Sequence, residues 1–131
     1  MDTQGKAWGS GKRKCAIAVA NVRAGTGRIV VNGQPILQYF RMPSQRQRIL
    51  LPLTVTQYTC LLDINITVRG GGHSGQCEAC VPAIAKALQA YDVETRPILK
   101  YLRLLRNDPR RVERKKPGKV KARKSLTYVR R

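Results

Sequence analysis

The last twenty-two residues of the chain cannot belong to a folded core. Residues 110–131, RRVERKKPGKVKARKSLTYVRR, hold eleven Lys or Arg and a single acid, Glu113, and they show no convincing apolar period. Each buried ammonium or guanidinium would need its own partner, and the segment cannot supply them. We therefore predict an extended arm that is largely disordered in isolation. A run with a net charge of +10 is suited to lie against a polyanion.

The size and charge of the whole chain fit one domain with appendages. The 131 residues carry a net charge of +19, and we predict a flexible N-terminal segment at 1–12, a globular RNA-binding domain at 13–106 and a basic tail at 107–131. A charge magnitude of roughly 2–8 suffices for solubility in a small domain. The excess indicates phosphate, in a nucleic acid or on an anionic membrane. No apolar run approaches the roughly 20 residues of a spanning helix, and the tail has no amphipathic stripe, so we expect no membrane partner.

The N-terminus and the cysteines bear on the compartment. The opening stretch, MDTQGKAWGSGKRK, lacks the apolar centre of a secretory signal, and it is too short and too poor in arginine for an intact transit peptide. We therefore expect a cytosolic protein, a product encoded inside an organelle or a mature imported form. Without a secretory signal, the four cysteines (Cys15, Cys60, Cys77 and Cys80) are expected to be free thiols.

The apolar periods predict an α+β domain with one small antiparallel-to-mixed sheet covered by helices, plus the long C-terminal arm. The predicted elements, in chain order, are a strand at Arg13–Arg23, a hairpin turn at Ala24–Gly27, a returning strand at Arg28–Val31, a short helix at Ile36–Phe40, a helix from Pro43 to about Leu51 where Pro52 limits it, a strand at Leu61–Val68, a helix capped by Ser74, and a short helix at Arg96–Leu105.

A glycine motif follows the third predicted strand. The run Gly70–Gly75 satisfies G-x-G-x-x-G, and open backbone amides at a helix N-terminus attract phosphate. A nicotinamide-dependent oxidoreductase is the enzyme alternative. It is disfavoured because Asp92 ends a helix rather than a second strand, and because no later strands complete a doubly wound sheet. We expect no cofactor, and an RNA phosphate contact and a purely structural turn both remain open.

The remaining chemical motifs have structural explanations. Cys77 and Cys80 share a helix face with Ile84, which favours core packing, whereas a zinc site would need Cys15 and Cys60 as its second ligand pair. His73 has no Ser or Cys partner with an orienting acid at a suggestive spacing. We expect no metal site, no catalytic residue and no small-molecule substrate, so the protein is not expected to be an enzyme.

Six segments in order make the chain resemble the family of the ninth protein of the small ribosomal subunit, in its bacterial or organellar form. These are GKRKCAIAVANV, GRIVVNGQPILQYF, INITVRGGGHSGQ, AIAKALQAYD, RPILK and NDPRRVERKKPGKVKARK. The pieces VNG-P-YF, GGG-SGQ and DPR-VERKK-G are each fairly specific to that family.

The resemblance implies the ribosomal protein S-five domain-two fold and a place in the head of the small subunit, beside neighbouring head proteins. It further implies that the arm threads through ribosomal RNA and reaches the anticodon stem-loop of transfer RNA in the peptidyl site. Charge and resemblance together predict ribosomal RNA contacts at Lys12, Arg13, Lys14, Arg69, Gly71, Gly72, Ser74, Arg110, Arg111, Arg114, Lys115, Lys116, Lys119, Lys121, Arg123 and Lys124. The resemblance places the transfer-RNA contacts at Tyr128, Arg130 and Arg131.

Four positions depart from the family pattern. Pro82 falls inside a predicted helix, where it is expected to kink the axis at a cost of about 3 kcal/mol. Val81 stands where the family commonly has a basic residue, Pro117 where an aromatic is usual, and Val129 where serine is usual. These departures and the cysteine-rich body favour a ribosome of a mitochondrion or plastid over one of the bacterial cytoplasm. A free-standing protein that compacts DNA or RNA is the binding alternative.

Overall fold

The structure, a computed structural model, describes residues 5–130 and is an α+β fold. This confirms the predicted fold class. In chain order the elements are β1 (Ala7–Arg13), β2 (Ala16–Ala24), β3 (Ile29–Val31), β4 (Gln34–Pro35), α1 (Ile36–Tyr39), α2 (Pro43–Thr56), β5 (Leu62–Arg69), α3 (His73–Tyr91), a 3-10 turn (Val93–Thr95) and α4 (Arg96–Tyr101).

The five strands form one mixed sheet in the order β1-β2-β5-β3-β4. Only β3 and β5 run parallel, and the other neighbouring pairs are antiparallel. Along β1, β2 and β5, buried and exposed side chains alternate, so one face of the sheet is buried and the other is open. Helix α3 lies across β1 and β2, and α2 packs beside α3.

The core lies between α3 and the covered face of the sheet. Apart from Phe40, its members are small or aliphatic, and they stand where the alternation in the strands and the 3.6-residue period in α3 place apolar residues. The largest fully buried side chains are Phe40, Ile49, Leu53, Leu62, Ile64, Ile66, Ile84, Leu88 and Leu99. Cys77 and Cys80 are buried in the same cluster, which confirms the expectation that they pack in the core.

The N-terminal strand was not predicted. The segment predicted to be flexible, residues 1–12, contains most of β1, so that prediction is wrong for residues 7–12; residues 1–4 lie outside the described residues. The predicted strand Arg13–Arg23 is in fact divided by a turn in which Lys14 has a positive φ of 53°. The inward residues of β1 are Ala7, Gly9 and Gly11, which give no apolar signal in the sequence.

The predicted hairpin between β2 and β3 is also wrong, because β5 lies between these two strands. The turn after β2 is instead closed by Asp63 of β5, whose Oδ1 accepts hydrogen bonds from the backbone N–H groups of Thr26 (2.9 Å) and Arg28 (3.0 Å). Gly27 does supply the positive φ expected in this turn, at 94°. The turn was predicted to be stabilised by pairing of β2 with β3. It is instead stabilised by the carboxylate of Asp63, which lies on β5.

Three helix boundaries differ from the predictions. Helix α2 continues past Pro52 to Thr56, and Pro52 is one of its three buried residues, with Ile49 and Leu53. Helix α3 begins at His73 with Gly72 as its N-cap, so Ser74 is not the cap, and it runs through Pro82 to Tyr91. Helix α4 ends at Tyr101 rather than Leu105. The division between a body ending at residue 106 and a tail from 107 stays a prediction.

The close approach of α3 to β1 depends on two glycines. A Cβ at Gly9 would meet the backbone of Ala83 and Ala87, and a Cβ at Gly11 would meet the backbone of Ala79 and lie 2.8 Å from Ala83 N. These neighbours are helix backbone and cannot rotate away as a flexible side chain could. The backbone of α3 at Ala79, Ala83 and Ala87 therefore occupies the space that side chains at Gly9 and Gly11 would need.

We expect Gly11→Val to lower the free energy of unfolding by about 3 kcal/mol, because over-packing forces the helix away from the sheet. Ser10→Val is the matched control, since Ser10 is the next residue of the same strand and is exposed. Urea unfolding of both variants measures the difference. Equal midpoints for the two would contradict the proposed close contact.

Candidate nucleic-acid interface

Three separate segments of the chain meet at one end of the sheet. The strand register places Lys12 of β1 opposite Ile17 of β2, and Ile17 opposite Arg69 at the end of β5. The loop after β5 crosses the turn after β1, and an isolated bridge pairs Arg13 with Asp108. We call this end the basic edge; it consists of Lys12, Arg13, Lys14, Arg69, Arg110 and Arg111. Residues predicted from three distant parts of the sequence are thus brought together.

The guanidinium of Arg13 connects the body to the start of the tail. Its Nε donates to Glu78 Oε2 of α3 at 2.6 Å, and one terminal nitrogen donates to the carbonyl oxygen of Arg110 at 2.8 Å. The other terminal nitrogen lies 3.6 Å from Asp108 Oδ2. We call this arrangement the Arg13 clasp. It fixes where the basic tail leaves the body.

The carboxylates of the clasp are held in their charged form. The hydrogen bond from Arg13 is the largest cause that lowers the pKa of Glu78, and Arg48 adds to it from 3.1 Å. The pKa of Asp108 is lowered well below its usual range, first by the side-chain hydrogen bonds from Arg110. The Arg13 side chain is only 14% exposed. Its donors therefore face protein groups, whereas Lys12, Lys14 and Arg69 are exposed.

The glycine loop next to the basic edge has a structural role. Gly70 and Gly71 both adopt positive φ, at 72° and 67°, and a Cβ at Gly70 would lie 2.6 Å from Cys15 O. Gln76 Nε2 donates to the Gly70 carbonyl oxygen at 3.1 Å. Gly72 caps α3 without a side-chain bond, and Ser74 is exposed in the first turn. The phosphate contact predicted for Gly71, Gly72 and Ser74 stays a prediction.

A chain of hydrogen bonds joins the glycine loop to the VNG-P-YF segment. Tyr39 Oη donates to Gln76 Oε1 at 2.9 Å. Asn32, with a positive φ of 48°, accepts from Val68 N (2.8 Å) and donates to Val68 O (3.0 Å) through its carboxamide. The side chain of Asn32 thereby continues the β3–β5 ladder past the end of β3. Two of the segments that carry the family resemblance thus support each other.

The two buried cysteines, Cys77 and Cys80, lie in an environment that does not suit metal or redox chemistry. Burial raises the pKa of the Cys80 thiol to about 12, and burial also raises that of Cys77, whose Sγ lies 3.4 Å from Gln45 O. Thiols in this state are poor nucleophiles and poor metal ligands, both of which require thiolate. Within residues 5–130, no group of three or more His, Cys, Asp or Glu side chains is placed to hold a metal ion.

The tail beyond the clasp is exposed and has no helix in its described part. A turn at Pro117–Gly118, in which Gly118 has a φ of 73°, is followed by a bridge between Lys119 and Ser125. Glu113 pairs with Lys116 (2.7 Å) and Arg123 (3.1 Å). One carboxylate is thus paired with two of the cations that were predicted to contact ribosomal RNA.

The other cations of the tail are not neutralised within the described residues. In the stretch from 111 to 130, no acidic oxygen of residues 5–130 lies within 4.0 Å of the charged groups of Arg111, Arg114, Lys115, Lys121, Lys124 and Arg130. Tyr128 is 88% exposed near the end of the tail. Arg131 lies outside the described residues.

The sequence reasoning missed the acidic half of the clasp. Glu78 and Asp108 were not identified as partners of Arg13, and Arg48 was not identified as a second partner of Glu78. A local signal did exist for Asp108, since Asp followed two residues later by an N–H donor is the pattern of an Asx turn, and Arg110 N does donate to Asp108 Oδ1 at 2.9 Å. No local signal points from Arg13 to Glu78, which is 65 residues away.

A small α+β body with a basic edge and an exposed cationic tail is typical of proteins that associate with nucleic acid. A profile of the family described as ribosomal protein S9/S16 matches residues 11–131, and the chain belongs to that family. This confirms the family resemblance. The family is one of ribosomal proteins and not an enzyme class.

Named relatives cover most of the chain. A small ribosomal subunit protein uS9 from Pelodictyon phaeoclathratiforme is 47% identical over 121 residues, which cover 92% of this chain and 94% of the relative. The small ribosomal subunit protein uS9 of Chlorobium luteolum is 45% identical over 121 residues, which again cover 92% of this chain and 94% of the relative. A small ribosomal subunit protein uS9m from Arabidopsis thaliana is 43% identical over 131 residues, 100% of this chain and 30% of the relative.

These relatives leave the compartment open. Bacterial and plant proteins both match, so the preference for an organelle stays a prediction. No helix among the described residues is long and apolar enough to cross a bilayer.

Arg13→Lys tests what Arg13 does at the basic edge. A lysine keeps the positive charge but cannot reproduce three contacts of a planar fork, so we expect it to loosen the tail root nearly as much as Arg13→Ala. Hydrogen exchange of the backbone N–H groups of Asn107, Asp108, Arg110 and Arg111 should accelerate about tenfold or more in both variants. Arg69→Lys is the control, since Arg69 is exposed. Unchanged exchange in Arg13→Lys would mean that only the charge of Arg13 matters.

Proposed function

We propose that the protein is a structural constituent of the head of the small ribosomal subunit, where the basic edge and the tail bind ribosomal RNA. The observation that carries this proposal is the set of tail cations that have no acidic partner within residues 5–130. The Arg13 clasp holds the root of this tail at an edge that is itself basic. Membership of a ribosomal protein family and relatives named as small ribosomal subunit proteins support it.

The binding energy of such a tail is chiefly electrostatic. Each phosphate that a Lys or Arg neutralises releases condensed counterions, so the affinity falls as salt rises. Arginine favours bidentate phosphate contacts, and lysine acts as a mobile point charge. The exposed cations of the tail include both residue types. Binding of this type positions a chain on RNA without reading its sequence.

The shape of the tail suits narrow spaces between RNA helices. Gly118, Val120 and Ala122 alternate with lysines, so the segment stays slender where a folded module would not fit. The small loop closed by Lys119 and Ser125 leaves Lys121 and Lys124 exposed. Ordering entropy is lost on binding, and we therefore expect the tail to become fully ordered only in the assembled particle.

The tip of the tail is proposed to reach transfer RNA in the peptidyl site. Tyr128 and Arg130 are exposed, which leaves an aromatic ring and a guanidinium available for an anticodon stem-loop. Arg131, outside the described residues, would add the terminal charge. The body of the protein is then the anchor that holds this tip in place, and its role is structural rather than catalytic.

Neutralising three tail cations should change the salt dependence of RNA binding by a calculable amount. We expect Lys119, Lys121 and Lys124, all replaced by Gln, to reduce the slope of log K against log salt concentration by about 2–3, since each phosphate contact contributes about 0.7–0.9. Filter binding of the full chain to a head-domain fragment of small-subunit ribosomal RNA between 50 and 200 mM salt measures the slope. Replacing Lys86, Arg96 and Lys100 by Gln removes the same charge from the helices. A slope that falls equally in both variants would contradict a special role for the tail.

Deleting Ser125–Arg131 should separate assembly from transfer-RNA binding. We expect the truncated protein to fold and to join the small subunit, because the clasp and the core are intact, but to weaken retention of peptidyl-site transfer RNA several-fold. Purified subunits carrying either form, assayed for the dissociation rate of bound transfer RNA, provide the test. Equal retention by the two kinds of subunit would refute a contact from the tip.

A further inference from the structure

The face of the sheet opposite α3 is not covered by any element of the described chain. Its centre is a row of four side chains, one from each of four neighbouring strands, which the register places as Trp8, Asn21, Asn65 and Val30. Trp8 is 53% exposed, and Ile17 and Val19 on the same face are 49% and 36% exposed. An aromatic ring, two carboxamides and aliphatic groups thus form a flat surface at the middle of the sheet.

A shallow pocket of about 290 Å³ lies along this row. Asn21, Asn65 and Val30 line it, together with the cations Lys6, Arg23 and Arg28. The acid on its wall, Asp63, is already engaged: it accepts from the backbone of Thr26 and Arg28 and lies 3.8 Å from a terminal nitrogen of Arg23. Even without Lys6, the two arginines outnumber the one acid, so Arg23, Arg28 and Asp63 together carry a net positive charge.

One polar atom in the pocket wall is unsatisfied. Asn21 Oδ1 is shielded from solvent and accepts no hydrogen bond from residues 5–130. Leaving a buried acceptor unpaired costs about 1–3 kcal/mol, a cost that a bound donor would remove. Asn21 lines the pocket together with Arg23 and Arg28, and its partner in the neighbouring strand is Trp8. That set of groups matches a nucleotide, which has a base to stack, an N–H donor and a phosphate.

We infer that this open face binds an unpaired nucleotide of the ribosomal RNA, a second contact surface in addition to the basic edge and the tail. The inference rests on the proposed function. The base stacks on Trp8, the Asn21 carboxamide turns to accept a hydrogen bond from an exocyclic amine, and Arg23 and Arg28 face the phosphate. Base–aromatic stacking tolerates any base, whereas the amine contact selects against uracil, which has no exocyclic amine. A neighbouring ribosomal protein is the rival occupant, but the excess of cations over acids favours RNA.

Intrinsic fluorescence reports directly on this face, because Trp8 is the single tryptophan of the chain. Full-length protein at 150 mM salt is titrated with an octamer of cytidine and with an octamer of uridine, which match in length, charge and ring size. We expect both octamers to quench Trp8 and the cytidine octamer to bind about fivefold more tightly. Glu113 is the single acid of residues 110–131, and its carboxylate already pairs with Lys116 and Arg123, so we expect tail binding to add equally to both titrations.

Two variants assign the effect to residues. Asn21→Ala should make the two affinities equal without lowering the midpoint of urea unfolding, because it removes an unsatisfied acceptor. Trp8→Ala, followed by the anisotropy of labelled octamers, should weaken both by about fivefold or more. Asn107→Ala is the control, since Asn107 is an exposed asparagine that does not line this pocket. It should preserve the preference for cytidine.

The outcomes separate this inference from the proposed function. If the protein binds a head-domain fragment of small-subunit ribosomal RNA but neither quenches Trp8 nor distinguishes the octamers, the open face is not an RNA site, and the proposed function stands. If the protein does not bind that fragment at all, the proposed function fails with it. Ultraviolet crosslinking of assembled subunits adds a third measurement. A nucleotide attached to the peptide that contains Trp8 supports the inference, and a crosslink from that peptide to a neighbouring protein instead overturns it.

Discussion

The scarcity of acidic side chains decides which parts of this chain can be ordered by themselves. Seven Asp or Glu stand against 26 Lys or Arg, so few cations can be paired internally. The body uses its carboxylates at places where they join distant segments: Asp63 closes the turn after β2, and Glu78 and Asp108 hold Arg13. Beyond Asp108 only Glu113 remains. A segment with that balance can lower its electrostatic free energy only against an external polyanion.

The fold class could be predicted from sequence because it depends on patterns that are local. Alternation in β5 and a 3.6-residue period in α3 are both strong signals, and each element was located to within a residue or two. The strand β1 gave no such signal, since its inward positions are Ala7, Gly9 and Gly11. Those residues are small because α3 lies so near, and a sequence pattern cannot show how near a helix will lie. The close packing against α3 therefore requires small residues in β1, and these small residues do not produce the apolar alternation by which a strand is predicted.

The error in topology and the unforeseen Arg13 clasp have a common physical origin. A glycine turn between two apolar runs favours a hairpin, and the structure instead inserts β5 between β2 and β3 because Asp63 satisfies the turn amides from the neighbouring strand. The RNA contact predicted for Arg13 stays a prediction, but no local pattern indicates that its donors meet Glu78 and the Arg110 carbonyl. In each case a side chain bonds across more than thirty residues. Charge composition predicted the cationic tail, but only the structure could show how its root is held.

The Arg13 clasp links the stability of the body to the reach of the tail. A flexible tail that began at a mobile root would explore a wide volume, and its tip would occupy any one site only a small fraction of the time. Fixing Asp108 and Arg110 against β1 and α3 removes that freedom at its origin, so the remaining residues start from one position and direction. Because the clasp is built on α3, whose approach requires Gly9 and Gly11, a defect in packing at the sheet would be transmitted to the tail. By fixing the point from which the tail extends, the body raises the effective concentration of the cationic tip at any site within its reach.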